Sequence, residues 1–351
     1  MADKLRCAVI GTGGIGFDHL HSLVTCHRAA AVALAENNAH RAREASVRHN
    51  IPRSYTDYRE LLEQPDIDAV TIALPNHLHA PVAIDALKAR KHVLVEKPMA
   101  LNAKEAAKMI ETAKAMKRTL MVAQDLRFNK HTQAARAIIE RGDLGEIYHA
   151  RAFWLRRAGI PRIGSWFTRR QLSGGGVVSD LGGHLIDAAL HLMKEFDVAT
   201  VSATTHAKFG TRGLGESDWG RSDVDPKKPF DVEDFAAVLL RLKSGRSIIM
   251  EAAWASFHAT DGREFGLDLL GANAGISLWP TRIFKNTLDG HDTLQLTPGK
   301  VPYAEDRIHH FVSCVLDSKK PLVAPEESLK VQQVLDAIYA SAASGKEVKL
   351  A

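Results

Sequence analysis

A glycine-rich segment, AVIGTGGIG, follows a short apolar run near the start of the chain. Gly11, Gly13 and Gly16 have the spacing G-x-G-x-x-G, after a predicted strand and before a predicted helix. The first glycine permits a tight turn, the second lets the backbone approach a pyrophosphate, and the third allows close packing of the helix on the strand. The helix N-terminus then faces the anion. We therefore expect dinucleotide binding through Gly11, Thr12, Gly13, Gly14, Ile15 and Gly16.

A carboxylate at the end of the next predicted strand supports this interpretation. Glu36 lies twenty residues after Gly16, where an acidic side chain can bind a ribose diol. A carboxylate would repel a 2′-phosphate, which favours NAD over NADP as the cofactor. The adjacent Asn37 adds hydrogen bonds without positive charge, whereas Arg41 and Arg43 could weaken the preference. The alternative is a structural glycine turn followed by a surface glutamate.

The first 125 residues alternate short apolar runs with amphipathic helical patterns. Strands are predicted at 7–10, 31–35, 69–74, 92–95 and 119–123, and helices at 80–90 and 103–117. This alternation predicts right-handed crossovers and a doubly wound parallel sheet, so residues 1–125 form a Rossmann domain in an α/β protein. Ligands of such sheets bind beyond the carboxyl ends of the strands.

After residue 125 the predicted strands become longer. They lie at 145–157, 199–208, 235–242, 246–256, 264–271 and 275–279. We expect residues 126–351 to form a C-terminal α+β domain on a large, mostly antiparallel open sheet, with helices on one face. The other face carries apolar residues, which predicts oligomerisation through this sheet. A final helix at about 326–344, capped by Gly345, could pack back on the first domain.

Composition argues against several classes of protein. Lysine and arginine number 46 against 41 aspartates and glutamates, a net charge of +5 without blocks of like charge, which argues against nucleic-acid binding. The absence of a run of about 18 apolar residues or a signal peptide argues against a membrane protein. Cys7, Cys26 and Cys314 are far apart, so we expect free thiols and a cytoplasmic protein.

Polar residues follow three further predicted strands, at the edge of the sheet where ligands bind. We expect cofactor contacts from Pro75, Asn76, His79, Glu96, Lys97 and Gln124. A turn with a helix N-cap is the alternative for Asn76 and His79, and a surface lysine is the alternative for Lys97.

The segment 174–184, GGGVVSDLGGH, leads into a helix with ionisable residues on one face. Asp180, His184, Asp187 and His191 are spaced by four, three and four residues, which places them in one helical stripe. Three interpretations compete: a solvent-exposed polar face, a metal site, and acid–base chemistry by Asp180 and His184. No established metal motif is present, so we predict no metal, and we expect Asp187 and His191 to be structural.

Substrate contacts are less constrained by the sequence. Arg127 follows a strand end and could bind hydroxyls or a carboxylate, with a solvated surface arginine as the alternative. Trp166 and Phe167 could form an aromatic lid over a sugar, with simple loop packing as the alternative. Trp154 lies on a predicted strand, and we expect it in the core.

Taken in order, these motifs resemble those of the Gfo/Idh/MocA oxidoreductases. The resemblance covers nearly the whole chain and rests on four segments: AVIGTGGIG, Pro75-Asn76 with His79, Glu96-Lys97-Pro98, and 180–184. It implies that Lys97 and His184 act at a substrate carbinol, assisted by Asp180. It also implies a cis peptide before Pro98 and assembly into a homodimer or homotetramer through the C-terminal sheet.

The expected activity is NAD-dependent oxidation of a ring secondary alcohol in a sugar or cyclitol, with Lys97, Asp180 and His184 as the catalytic residues. Two alternatives stay open. A lyase or glycosidase could oxidise and re-reduce its substrate on a retained NAD, and a non-catalytic regulator could bind NAD alone.

Overall fold

The computed structural model describes residues 4–217, 222–225, 227–228, 230–259, 262–302 and 306–350. Its N-terminal part, residues 5–123, contains a six-stranded parallel sheet in the order β3-β2-β1-β4-β5-β6, the strand order of a Rossmann fold. The strands are β1 Leu5–Ile10, β2 Ala29–Ala35, β3 Ser54–Tyr55, β4 Ala69–Ile72, β5 His92–Glu96 and β6 Leu120–Ala123. The helices between them are α1 Gly14–Thr25, α2 Ala39–His49, α3 Tyr58–Leu62, α4 His79–Lys88 and α5 Ala103–Met116.

The strands of this sheet form where the sequence has continuous apolar runs. Every residue of β4 and β6 is buried, as expected for strands covered by helices on both faces. All five predicted strands are present with small differences at their ends, and the two-residue edge strand β3 is an addition. The sheet therefore brings the polar residues that follow β1, β2, β4, β5 and β6 to one edge.

The C-terminal part contains a nine-stranded sheet in the order β16-β15-β14-β13-β7-β12-β11-β9-β17. Only the β7–β12 pair is parallel, so the sheet is mostly antiparallel, as predicted. Its strands are β7 Ile147–Leu155, β9 Val198–His206, β11 Phe235–Leu242, β12 Ser247–Ala253, β13 Phe265–Gly271, β14 Gly275–Leu278, β15 Arg282–Thr287, β16 Gly290–Gln295 and β17 Val348–Lys349. A separate short pair joins β8 Ile160–Pro161 and β10 Glu216–Ser217.

The remaining helices cover one face of this sheet or return to the first one. They are α6 Lys130–Glu140, α7 Arg170–Ser173, α8 Gly183–Met193, α9 Arg307–Leu316 and α10 Pro325–Ser344. Helix α8 packs on β7, whereas α9 packs on α1 and adds Ile308 and Phe311 to the core of the parallel sheet. Helix α10 contacts both β9 and α5, and Gly345 ends it with a positive φ of 66°. The final helix thus packs on both the N-terminal and the C-terminal part. The division of the chain at residue 125 stays a prediction.

The outer face of the nine-stranded sheet is mixed rather than apolar. Ile249 and Leu270 are exposed there, but the charged Arg151 and Glu251 lie on the same face and form an ion pair. Assembly through this face therefore stays a prediction. None of the helices in the described part of the chain has the length and apolar character needed to span a bilayer.

Candidate active site

A large cleft of about 1300 Å³ lies along the carboxyl edge of the parallel sheet. One wall consists of the residues that follow β1, β2, β4, β5 and β6, and the facing wall comes from β7, the segment 166–176 and the start of α8. Before α8 begins, residues Val178–Gly182 form one π-helical turn, a feature common at functional sites. The cleft thus brings together residues from the N-terminal and the C-terminal parts of the chain.

The glycine-rich turn has the geometry that a dinucleotide requires. Gly11 has a φ of 89°, and a methyl group at position 16 would lie 2.0 Å from the carbonyl oxygen of Gly11. A methyl group at position 13 would instead meet open space. The turn is therefore closed where α1 packs on β1 and open where a pyrophosphate would approach. Gly14 and the exposed Ile15 also line the cleft.

Glu36 lies at the end of β2 and lines the cleft with Asn37. Its carboxylate accepts the amides of Thr12 and Asn38, both at 2.9 Å, and pairs with Arg41 at 3.1 Å. Burial opposes ionisation, yet the hydrogen bonds from the two amides and from Arg41 lower the pKa of Glu36 below its usual range. Thr12 is itself buried outside the cleft lining, so it holds Glu36 in place rather than facing a ligand.

Asn76 and His79 position the walls of the cleft. Asn76 donates to the carbonyl oxygen of Ser173 at 2.7 Å, which ties the turn after β4 to the facing wall. The ring nitrogens of His79 lie 2.7 Å and 2.8 Å from the carbonyl oxygens of Pro98 and Leu74. Because this ring is buried between two main-chain segments, His79 holds them together beneath the cleft that it lines with Pro75.

Lys97 and Asp180 form an ion pair at the centre of the cleft. Lys97 Nζ donates to Asp180 Oδ1 at 2.9 Å, and Trp254 Nε1 donates to Asp180 Oδ2, also at 2.9 Å. Burial lowers the pKa of the ammonium, but the charge of Asp180 outweighs it and raises the pKa of Lys97 above its usual value. The same pairing lowers the pKa of Asp180 despite burial. The Lys97–Pro98 peptide is cis, as the resemblance implied.

His184 lines the cleft at the start of α8 and is paired with a carboxylate that the sequence analysis did not identify. Its Nδ1 lies 3.0 Å from Oδ1 of Asp125, the second residue after β6. Half of the Asp125 side chain is exposed. Partial desolvation opposes its ionisation, but the pairing with His184 outweighs this and lowers the pKa of Asp125. The position of Asp125 just beyond a strand end is the same signal that identified Glu36.

Glu96 and Gln124 lie at the base of the site. Glu96 is buried, lies 2.9 Å from His19 and 3.5 Å from Arg307, and lines the cleft. Burial raises the pKa of Glu96, but His19 and Arg307 outweigh it and lower the value to about 2. Gln124 lines a separate small cavity behind Lys97 and not the main cleft. We therefore do not retain Gln124 as a cofactor contact.

Arg127 is not in the cleft. Its buried guanidinium donates two hydrogen bonds to Asp187, at 2.7 Å and 2.9 Å, and also pairs with Glu327. The proposed substrate contact by Arg127 is therefore wrong, because this side chain joins α8 to α10 in the interior. Asp187 has the structural role expected of it, and His191 is also buried.

The aromatic residues also differ in part from expectation. Trp166 and Phe167 stack with ring centroids 3.8 Å apart, and both line the cleft. Trp154 was expected in the core, but it is half-buried and lines the cleft with its ring centroid 6.3 Å from that of His184. Trp154 was placed in the core because it is an apolar residue on a predicted strand. The apolar pattern of a strand shows which residues share a face, but it does not show that this face ends at a ligand cleft.

The polar stripe on α8 is divided between two roles. Asp180 and His184 face the cleft, whereas Asp187 lies in the interior with Arg127, so a solvent-exposed polar face is wrong. Within the described ranges, no group of three or more His, Cys, Asp or Glu side chains is placed to hold a metal ion. The arrangement provides an ammonium, two carboxylates and an imidazole beside an open glycine-rich turn.

Comparison with known proteins gives the same picture. Residues 5–124 match a family model described as an oxidoreductase family with an NAD-binding Rossmann fold, and residues 132–277 match the GFO/IDH/MocA C-terminal domain. A D-glucoside 3-dehydrogenase of Escherichia coli is 29% identical over 99% of this chain and 98% of its own length. A putative UDP-kanosamine synthase oxidoreductase subunit of Amycolatopsis mediterranei is 31% identical over 74% of this chain and 71% of its own.

The fold also matches solved structures over its full length. A levoglucosan dehydrogenase in complex with NADH and L-sorbose superposes with a TM-score of 0.85, at 25% identity over 99% of both chains. Since the family models, the relatives and the fold agree, this chain belongs to the Gfo/Idh/MocA family of oxidoreductases, with an NAD-binding Rossmann fold over residues 5–124.

Proposed function

We propose that this protein oxidises a secondary alcohol on the ring of a sugar or cyclitol with NAD. The observation that carries the proposal is the convergence of Lys97, Asp180 and His184 in the cleft that begins at the glycine-rich turn. A sugar substrate is supported by the names of the similar proteins, a D-glucoside 3-dehydrogenase and a levoglucosan dehydrogenase.

NAD fits the residues at the nucleotide end of the cleft. The open backbone at Gly13 and Gly14 suits the pyrophosphate, and the ionised Glu36 suits a ribose diol. When bound, NAD supplies the acceptor for the hydride of the alcohol carbon. The chain's own residues must then hold the hydroxyl and remove its proton.

His184 is placed to take that proton. Its Nδ1 faces Asp125, so Nε2 is the ring nitrogen left to receive the proton of a substrate hydroxyl. The ionised Asp125 then stabilises the imidazolium that forms, which is the role of a carboxylate beside a catalytic histidine. An imidazole is well suited to general base catalysis near neutral pH.

Lys97 is suited to a different task. Because Asp180 raises its pKa, Lys97 is an ammonium at neutral pH and cannot serve as the base in the free site. An ammonium can donate a hydrogen bond to the substrate oxygen and stabilise the negative charge that develops as the proton leaves. We therefore assign proton removal to His184 and oxygen stabilisation to Lys97.

The test follows NADH absorbance and product formation together, with a panel of inositols, aldoses and glycosides. A dehydrogenase produces NADH and ketone in equal amounts. Product without net NADH would instead indicate the lyase or glycosidase alternative, and NAD binding without any conversion would indicate a regulator.

Two variants test the roles of the residues. His184→Ala and Lys97→Met should each lower turnover about a hundredfold or more while NADH still binds, because each removes a group that acts on the substrate oxygen. The exposed residues His27 and Lys104 provide matched controls as His27→Ala and Lys104→Met. Near-normal turnover in both site variants would refute the assignment.

A further inference from the structure

The cations of the cleft are not all neutralised. Six Lys and Arg side chains line it, and four of them are paired with carboxylates, among them Lys97 with Asp180 and Arg307 with Glu96. Within the part of the chain that the structure describes, no carboxylate lies within ion-pair distance of the other two, Arg156 and Arg169. Among the described residues, Arg156 and Arg169 therefore have no direct ion-pair partner, although the cleft lining as a whole carries seven carboxylates and six cations.

Arg156 is held in a defined position beside the reacting groups. Its guanidinium carbon lies 4.8 Å from the centroid of the Trp154 ring, and that ring lies 6.3 Å from His184. The stem of Arg156 packs over Gly159, where a methyl group would lie 2.5 Å from Arg156 Cδ. The aromatic face of Trp154 and the absence of a side chain at position 159 together fix the position of this arginine.

The neighbouring carboxylates do not neutralise Arg156. The charges of Asp180 and Glu264 reach it and favour its charged form, but burial outweighs them and lowers its pKa. Asp180 is already paired with Lys97. A half-buried guanidinium without an ion-pair partner is unfavourable in the free protein, and a bound anion would compensate it through charge-assisted hydrogen bonds. Neutral hydroxyls could accept hydrogen bonds but would leave the charge in place.

From this geometry we infer that the substrate is an acidic sugar or cyclitol derivative, whose carboxylate or phosphate is bound by Arg156. This inference rests on the proposed function, because it specifies the substrate class of the same site. Trp154 then serves as the platform that orients the guanidinium, as arginine commonly stacks on aromatic rings.

The test compares methyl glucosides that carry a neutral or an acidic group at C6. NADH formation is measured with the NAD-loaded enzyme on methyl β-D-glucoside, methyl β-D-glucuronide and methyl β-D-glucoside 6-phosphate, which separates a neutral ring from a carboxylate and a phosphate. We expect kcat/KM for one acidic compound to exceed that for the neutral glycoside about tenfold or more.

Arg156→Gln should raise KM for the preferred acid about tenfold or more and change kcat/KM for the neutral glycoside less than about twofold. Arg156→Lys should retain part of the preference, because it keeps the charge but loses the planar donor geometry. The adjacent Arg157 is exposed and outside the cleft lining, so Arg157→Gln is the matched control and should keep the preference.

Equal or better use of the neutral glycoside by the wild type would overturn the inference while leaving the dehydrogenase proposal intact. Equal losses for both substrates in Arg156→Gln would also overturn it, because they would assign Arg156 to binding hydroxyls. Binding of glucuronate and glucose to the NAD-loaded protein is measured in parallel by tryptophan fluorescence. If no compound of this set or of the panel of inositols, aldoses and glycosides yields NADH, the dehydrogenase proposal fails. Tighter binding of glucuronate that Arg156→Gln abolishes would still support the anion site.

Discussion

Nζ of Lys97 lies 2.9 Å from Oδ1 of Asp180, although the two residues are 83 positions apart in the chain. Lys97 follows β5 of the parallel sheet, and Asp180 lies in the π-helical turn before α8. Both side chains are largely enclosed, so each charge depends on the other for compensation. The protonation state of Lys97 therefore depends on the contact between the N-terminal and C-terminal parts of the chain.

Asp180→Asn should change the alkaline side of the pH–rate profile. Asp180 holds the pKa of Lys97 above its usual value, and without that carboxylate burial lowers the pKa. The ammonium is then lost at lower pH, so turnover of the variant should decline about one pH unit or more before that of the wild type. The amide can still accept the hydrogen bond of Trp254. Asp143→Asn, at an exposed site, is the control and should keep the wild-type profile. If the alkaline limb of Asp180→Asn is also identical to that of the wild type, the coupling is contradicted.

Glu36→Ala should shift cofactor preference toward NADP. The carboxylate of Glu36 lies where it would repel a 2′-phosphate, and its removal leaves Arg41 close by. The ratio of kcat/KM with NADP to that with NAD should rise about a hundredfold. Arg41 also pairs with Asp223, at 3.0 Å, and this pair does not depend on Glu36. Adding Arg41→Ala should remove most of the gain, and an unchanged ratio in Glu36→Ala would refute the role of the carboxylate.

Two alanine substitutions should separate folding from cofactor binding in the glycine-rich turn. Gly13→Ala places its methyl group in open space at a φ of −63°, so unfolding temperature should change little. The same methyl group would obstruct a pyrophosphate, and NADH affinity should fall about tenfold or more. Gly16→Ala instead places a methyl group 2.0 Å from a backbone oxygen and should destabilise the protein itself. Equal NADH affinity in Gly13→Ala and wild type would contradict the proposed binding mode.

The sequence predicted those parts of the fold that have a buried face. Continuous apolar runs located β1, β2 and β4 to β6, and the predicted strand at 235–242 has the same ends as β11. The hairpin β15–β16 was missed because all of β16 and most of β15 are exposed, which leaves no apolar periodicity to detect. The two-residue strands β3 and β17 are too short to carry such a pattern.

The site residues show a similar division. Lys97, Asp180 and His184 were identified from strand ends, a glycine-rich segment and the family resemblance, and all three line the cleft. Partners brought together only by tertiary packing were not identified, such as Asp125 beside His184. Arg127 was misassigned for the same reason, because nothing in the local sequence shows that an arginine after a strand end points into the interior.

Arg127→Met should therefore destabilise the protein without weakening substrate binding. Arg127 and Asp187 are both fully buried, and loss of the guanidinium leaves the Asp187 carboxylate without its bidentate partner. Breaking such a pair costs about 3–5 kcal/mol in the free energy of unfolding, which urea denaturation measures. Asp187→Asn combined with Arg127→Met should recover part of this loss, because no uncompensated charge then remains in the interior. A raised KM in Arg127→Met at unchanged stability would instead restore Arg127 as a substrate contact, since only a side chain that reaches the cleft could produce that result.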